Sequence, residues 1–96
     1  MITPPHPGET IKEDYLVPLG MSVNRLAEAL GIGATRLNEI VHGTRGISAD
    51  TALRLASSLG ASPEFWLHLQ SVYDLGIAER KAGVKIARAV KPLKVA

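Results

Sequence analysis

Cysteine is absent from the chain, so neither a disulfide framework nor a thiolate metal site is available to it. Aromatic residues are scarce, with one Phe, one Trp and two Tyr, and three of those four crowd into Phe65, Trp66 and Tyr73. Long apolar runs are missing too. The longest covers a few residues, far below the roughly 20 that span a bilayer, and the opening MITPPHPGET has neither the basic region nor the apolar core of a signal peptide. A cytoplasmic protein with no membrane association is expected. His6, His42 and His68 are too scattered for a metal site, and no glycine-rich phosphate loop or nucleophile–base spacing occurs. The reading is therefore of no metal, no cofactor and no enzyme.

What is present is 96 residues with 46% hydrophobic content, enough for one domain with a modest core. The formal charge of +2 is unevenly spread. Residues 1–75 hold five Lys or Arg against eight Asp or Glu, a balance of −3, while residues 76–96 hold six against one, a balance of +5. The basic charge belongs to the end of the chain, where it suits a phosphate contact or merely aids solubility.

Five helices follow from pattern and punctuation. Residues 1–6, with two prolines, read as a flexible arm. The first helix opens at Pro7-Gly8, buries Ile11, Tyr15 and Leu16, and is expected to end at Pro18, whose ring disfavours helical geometry at Val17. Ser22 caps the second, in which Val23, Leu26, Ala27 and Leu30 recur at helical spacing. A tight break at Gly31-Ile32-Gly33 leads to the third, with Leu37, Ile40 and Val41 inward and a polar remainder outward. Ser48 caps the fourth, in which Ala52, Leu53, Leu55, Ala56 and Leu59 pack and Asp50 favours the helix dipole; Arg54 reads as a snorkelling or salt-bridged side chain. Ser62, Pro63 and Glu64 open the fifth, whose stripe of Phe65, Trp66, Leu69, Val72 and Tyr73 is divided between the core and a second chain. Past Gly76 the pattern fades, and residues 76–96 read as a weakly ordered basic tail.

The second and third helices, SVNRLAEALGIGATRLNEIVHG, have the spacing of a helix-turn-helix. The outward set of the third is short, polar and mixed in charge, a face able to present donors and acceptors to base edges in a major groove.

With these elements placed, the chain resembles Cro/C1-type helix-turn-helix proteins, and more closely the HigA family of antitoxins. The resemblance rests on PGETIKEDYLVPLGMSVNRLAEALGI, HGTRGISADTALRLASSLG and SPEFWLHLQSVYDL, over about residues 7–75. It implies an all-α, five-helix, lambda-repressor-like DNA-binding domain with a short basic C-terminal tail. It further implies a homodimer that binds operator DNA as an autorepressor and neutralises a HigB-like toxin protein, a RelE-like mRNA endonuclease. In that docking mode Ala34, Thr35, Arg36, Asn38 and Glu39 lie nearest the bases, and Ser22, His42, Thr44 and Arg45 nearest the phosphates. Two other readings stay open: a solitary Cro/C1-type regulator without a toxin, and a toxin-binding module that binds DNA weakly.

Overall fold

Three helices begin in the same way. Ser22, Ser48 and Ser62 sit in extended backbone, and each hydroxyl accepts from the N–H three residues on: Arg25 at 3.1 Å, Thr51 at 3.2 Å and Phe65 at 3.1 Å. Each exchange satisfies a donor that the first helical turn leaves unpaired. The computed structural model describes residues 3–94, and its order is α1, which joins Pro7–Ile11, Lys12–Leu16 and Val17–Leu19, then α2 (Val23–Leu30), α3 (Ala34–Val41), α4 (Ala49–Leu59) and α5 (Pro63–Ala89). Among the described residues there is no strand.

Pro18 does not end the first helix. The turn Lys12–Leu16 is π-helical, with the Val17 N–H reaching back to the Lys12 carbonyl, and this wider turn relieves the clash that a proline ring makes with the carbonyl four residues back. The helix instead closes at Gly20, and the Met21 N–H returns to the Leu16 carbonyl at 2.9 Å. α1 thereby keeps both Ile11 and Leu16 in the core.

The core is assembled from every helix: Leu26, Ala27 and Leu30 of α2, Leu37 and Ile40 of α3, Ala52 and Leu55 of α4, and Ile47 of the α3–α4 loop, all closed over by Trp66 of α5. Trp66 is wholly buried, with Tyr15 and Phe65 at ring-centroid distances of 5.8 and 5.2 Å. One residue away on the helix, Phe65 is 41% exposed, as is Val72 at 38%. The aromatic stripe thus divides, with Trp66 inside, Leu69 and Tyr73 half-buried, and Phe65 and Val72 facing outward. In α4 the expected packing of Leu53 does not occur: it is exposed, and buried Thr51 takes an inward position instead. Successive helical residues turn by about 100°, so Leu53 is carried outward once Ala52 and Leu55 are both seated.

α5 runs straight through Gly76. Its 27 residues at 1.5 Å each span about 40 Å, which gives the molecule a 52 Å long axis against 27 and 21 Å across. The expected weak order after Gly76 is corrected accordingly: a helix continues to Ala89, propagating from turns already anchored by Trp66, for which each added residue needs no new nucleus. Val95 and Ala96 lie outside the described residues.

The expected loose arm is also docked from Thr3 onward, while Met1 and Ile2 lie outside the description. Thr3 Oγ1 accepts from Arg80 at 2.7 Å, and Pro4 packs against Gly76 so closely that a Cβ there would stand 2.7 Å from the proline Cδ. His6 is buried and caps α1, its Nδ1 accepting from the Gly8 N–H at 2.9 Å, while its ring meets Tyr73 edge-on at 4.8 Å. Burial holds its pKa below the ordinary 6.5, against the opposing pull of Asp74, Glu9 and the Arg45 backbone.

Candidate nucleic-acid interface

The turn between α2 and α3 is built from backbone. Gly31 takes φ +70°, the left-handed region where glycine alone is unstrained, and the Ile32 N–H returns to the Ala27 carbonyl at 3.1 Å. From α4, Arg54 clips this turn down: its Nη1 donates to the Leu30 carbonyl at 2.9 Å and to Gly31 at 3.3 Å, while its Nε pairs with Asp50 at 2.9 Å. Arg54 is thus the salt-bridged brace that its place among apolar neighbours implied.

α3 emerges from this turn with Thr35 exposed in its first turn and Ala34, Arg36, Asn38 and Glu39 half-buried. Its two ionic side chains are both engaged. Arg36 Nη2 donates to Asp50 at 3.0 Å and also to the hydroxyl of Thr51, and Glu39 Oε1 accepts from Arg45 Nε and Nη2 at 3.1 and 2.9 Å. Thr35 and Asn38 side chains make no hydrogen bond among the described residues. The five positions expected nearest the bases therefore share one short helix, but they divide into two ion-paired residues and three uncharged ones.

The positions expected at phosphates lie at the start of α2 and beyond the end of α3. Ser22 is exposed at the α2 N-terminus, where unpaired N–H groups favour an anion. His42, Thr44 and Arg45 are all exposed beyond the C-terminus of α3. His42 Nδ1 lies 2.7 Å from the Asn38 carbonyl, and the Thr44 N–H and hydroxyl both reach the Glu39 carbonyl, at 2.9 and 3.2 Å. This loop is braced from the far side by Gln70, whose Oε1 accepts from the Ile47 N–H at 2.7 Å and whose Nε2 donates to Asp74 at 2.9 Å.

Several residues that fix this face escaped the sequence pattern. Asp50 reads as a helix-dipole residue, yet it ties Arg36 and Arg54 together, and the two guanidiniums, Arg54 first, hold its carboxyl below the usual carboxylate range. The i,i+4 spacing of Asp50 and Arg54 was the available signal. Gln70 gave no signal beyond membership of the WLHLQ segment. Gly8 looked like a helix opener, whereas a Cβ there would stand 2.0 Å from the Ile40 carbonyl oxygen, so α1 rests directly on the backbone of α3.

A capped helix, a glycine turn clipped from a neighbouring helix, and a second helix with an open first turn define a helix-turn-helix protein of the Cro/C1 type, and the helix-turn-helix family model matches residues 11–66. The chain is 51% identical over 75 residues to virulence-associated protein I of Dichelobacter nodosus, covering 78% of this chain and 69% of that one. It is 36% identical over 88 residues to antitoxin HigA-1 of Vibrio cholerae serotype O1, covering 92% and 82%. Among solved structures, the Pseudomonas aeruginosa antitoxin HigA with the higBA promoter superposes with a TM-score of 0.91 at 41% identity, covering 95% of this chain and 99% of that one. The chain belongs to the HigA family of antitoxins. Among the described residues, no helix is long and apolar enough to cross a membrane.

Proposed function

We propose that this protein is a cytoplasmic autorepressor and antitoxin. As a homodimer it binds operator DNA ahead of its own genes, and it neutralises a HigB-like, RelE-type mRNA endonuclease without itself catalysing any reaction. The observation that carries the reading is the open first turn of α3, held out by the Arg54 clip, in a chain that matches a promoter-bound HigA over nearly its whole length.

In this docking the N-terminal half of α3 enters the major groove. Thr35 and Asn38 offer donors and acceptors to base edges, Ala34 offers a methyl contact, and Ser22, His42, Thr44 and Arg45 flank them along the phosphates. Arg36 and Glu39 stand at the edge of that face in their ion pairs. Two protomers place their α3 helices about 34 Å apart on a pseudo-palindrome. About ten phosphate contacts per dimer give a log K against log salt slope of about −9. Fluorescence anisotropy on promoter DNA across salt concentrations tests the docking, and a slope near zero refutes it. Co-expression with the product of the neighbouring reading frame tests the antitoxin role: restored growth is expected, and continued arrest would leave only a regulator.

A further inference from the structure

Arg36 of α3 is tied to α4 through a single nitrogen. A guanidinium has five N–H donors and two two-pronged edges, one pairing Nε with Nη2 and the other Nη1 with Nη2. Both edges need an Nη2 hydrogen. In this protein Nη2 is the atom that serves Asp50 and Thr51, the latter almost fully buried and fixed in turn by the Ser48 hydroxyl at 3.1 Å. The arginine side chain remains 32% exposed, so Nη1 and Nε are left to donate one at a time.

We infer that Asp50 and Thr51 are specificity-determining residues that withhold the two-pronged edges of Arg36 from guanine, confining it to single-pronged, charge-based contact with phosphate. Base preference then comes from Thr35 and Asn38. The inference rests on the docking of α3 proposed above. Guanine recognition by arginine needs both prongs on O6 and N7, whereas a phosphate oxygen takes a single donor from any direction. Asp50 is the controlling partner, because its Oδ2 accepts from Arg36 and Arg54 together and so sets where the guanidinium plane lies. Arg36 itself is a positioning residue with respect to sequence: it adds charge and holds α3 against α4.

The test measures binding of the full-length protein to a set of operator duplexes in which each base pair is changed in turn, with a thermal melt of every variant. R36K and R36A are expected to keep the wild-type pattern of base preference, and R36A to reduce the salt slope by about one per protomer. D50A removes the acceptor, releases an Nη2 hydrogen and is expected to create a new guanine preference of about tenfold at one position per half-site. That preference disappears in D50A/R36K, because an ammonium has no fork, and D50E retains the wild-type pattern. A lost base preference in R36K or R36A at an unchanged salt slope overturns the inference, as does an unaltered pattern in a folded D50A. Failure of the docking is read separately: T35A would then leave the pattern as it is.

Discussion

Gly8→Ala sets two physical effects against each other, and the structure says which one wins. Position 8 lies in the first turn of a helix, where alanine is favoured over glycine by up to about 1 kcal/mol, so on propensity alone the substitution stabilises. The added Cβ, however, would stand 2.0 Å from the Ile40 carbonyl oxygen and 2.9 Å from both the Ile40 carbonyl carbon and the Val41 Cα. Ordinary contact begins near 3.4 Å, so α1 must retreat from α3 by about 1.4 Å, the difference between that distance and 2.0 Å. The obstacle is the backbone of α3 and cannot rotate aside. Retreat of α1 loosens Ile11 and Leu16 against Leu37 and Ile40, the contacts on which α3 is seated. Overpacking of a well-fitted core costs about 1–3 kcal/mol, occasionally more, and the upper end applies to a clash of this size. Net destabilisation after the propensity gain is then about 2 kcal/mol. For a domain of this size each kcal/mol moves the melting temperature by roughly 4–8 °C, so a fall of about 8–16 °C is expected by circular dichroism. Gly83→Ala is the comparison: Gly83 lies within α5, its nearest neighbour is the Glu79 Cβ at an ordinary 3.8 Å, and the substitution should hold or raise the melting temperature. A Gly8→Ala protein that melts at or above wild type would refute the close-approach argument.

Acidification supplies a second prediction. His6 has its folded-state pKa lowered, so its contribution is complete above the ordinary value of 6.5 and declines as pH falls below it, because the unfolded chain takes up the proton first. The loss levels off once the folded His6 is itself protonated and its Nδ1 can no longer accept from Gly8. Urea midpoints measured from pH 8 to 5 should drop in this window, and His6→Asn, which keeps a capping acceptor without titrating, should flatten the drop; equal pH profiles would exclude His6 as its source. Gln70→Ala removes the acceptor of the Ile47 N–H and leaves that part-buried donor unpaired, at a cost of about 1–3 kcal/mol, and amide exchange at Ile47 should accelerate while that of α2 stays slow. Gly76→Ala pushes Pro4 off α5 and should detach the arm, seen as protease cleavage before His6 with little change in melting temperature.

What could be read from the sequence divides along a physical line. The serine caps, the glycine closures and the 3.6-residue stripes are local, and each is encoded within a few residues, so α2 to α4 and the start of α5 stand where Ser22, Gly31, Ser48 and Ser62 place them. Pro18 was misleading because the local rule against proline assumes an unbroken α ladder, and the π turn before it removes that premise. The end of α5 was hidden for a different reason: VKIARAV carries little helical periodicity of its own, and its helix is carried forward from the Trp66 anchor. α3 shows the limit most clearly. Its polar residues are legible as a set apart from Leu37 and Ile40, but Arg36 and Glu39 are engaged by Asp50 and Arg45, which approach from a neighbouring helix and loop 14 and 6 positions away in sequence. A single sequence displays the charges of Arg36 and Glu39 as available, whereas in the fold Arg36 is engaged by Asp50 of α4 and Glu39 by Arg45 of the following loop. The uncharged Thr35, exposed, and Asn38, half-buried, are consequently the ones whose side-chain hydrogen-bonding groups stay uncommitted among the described residues.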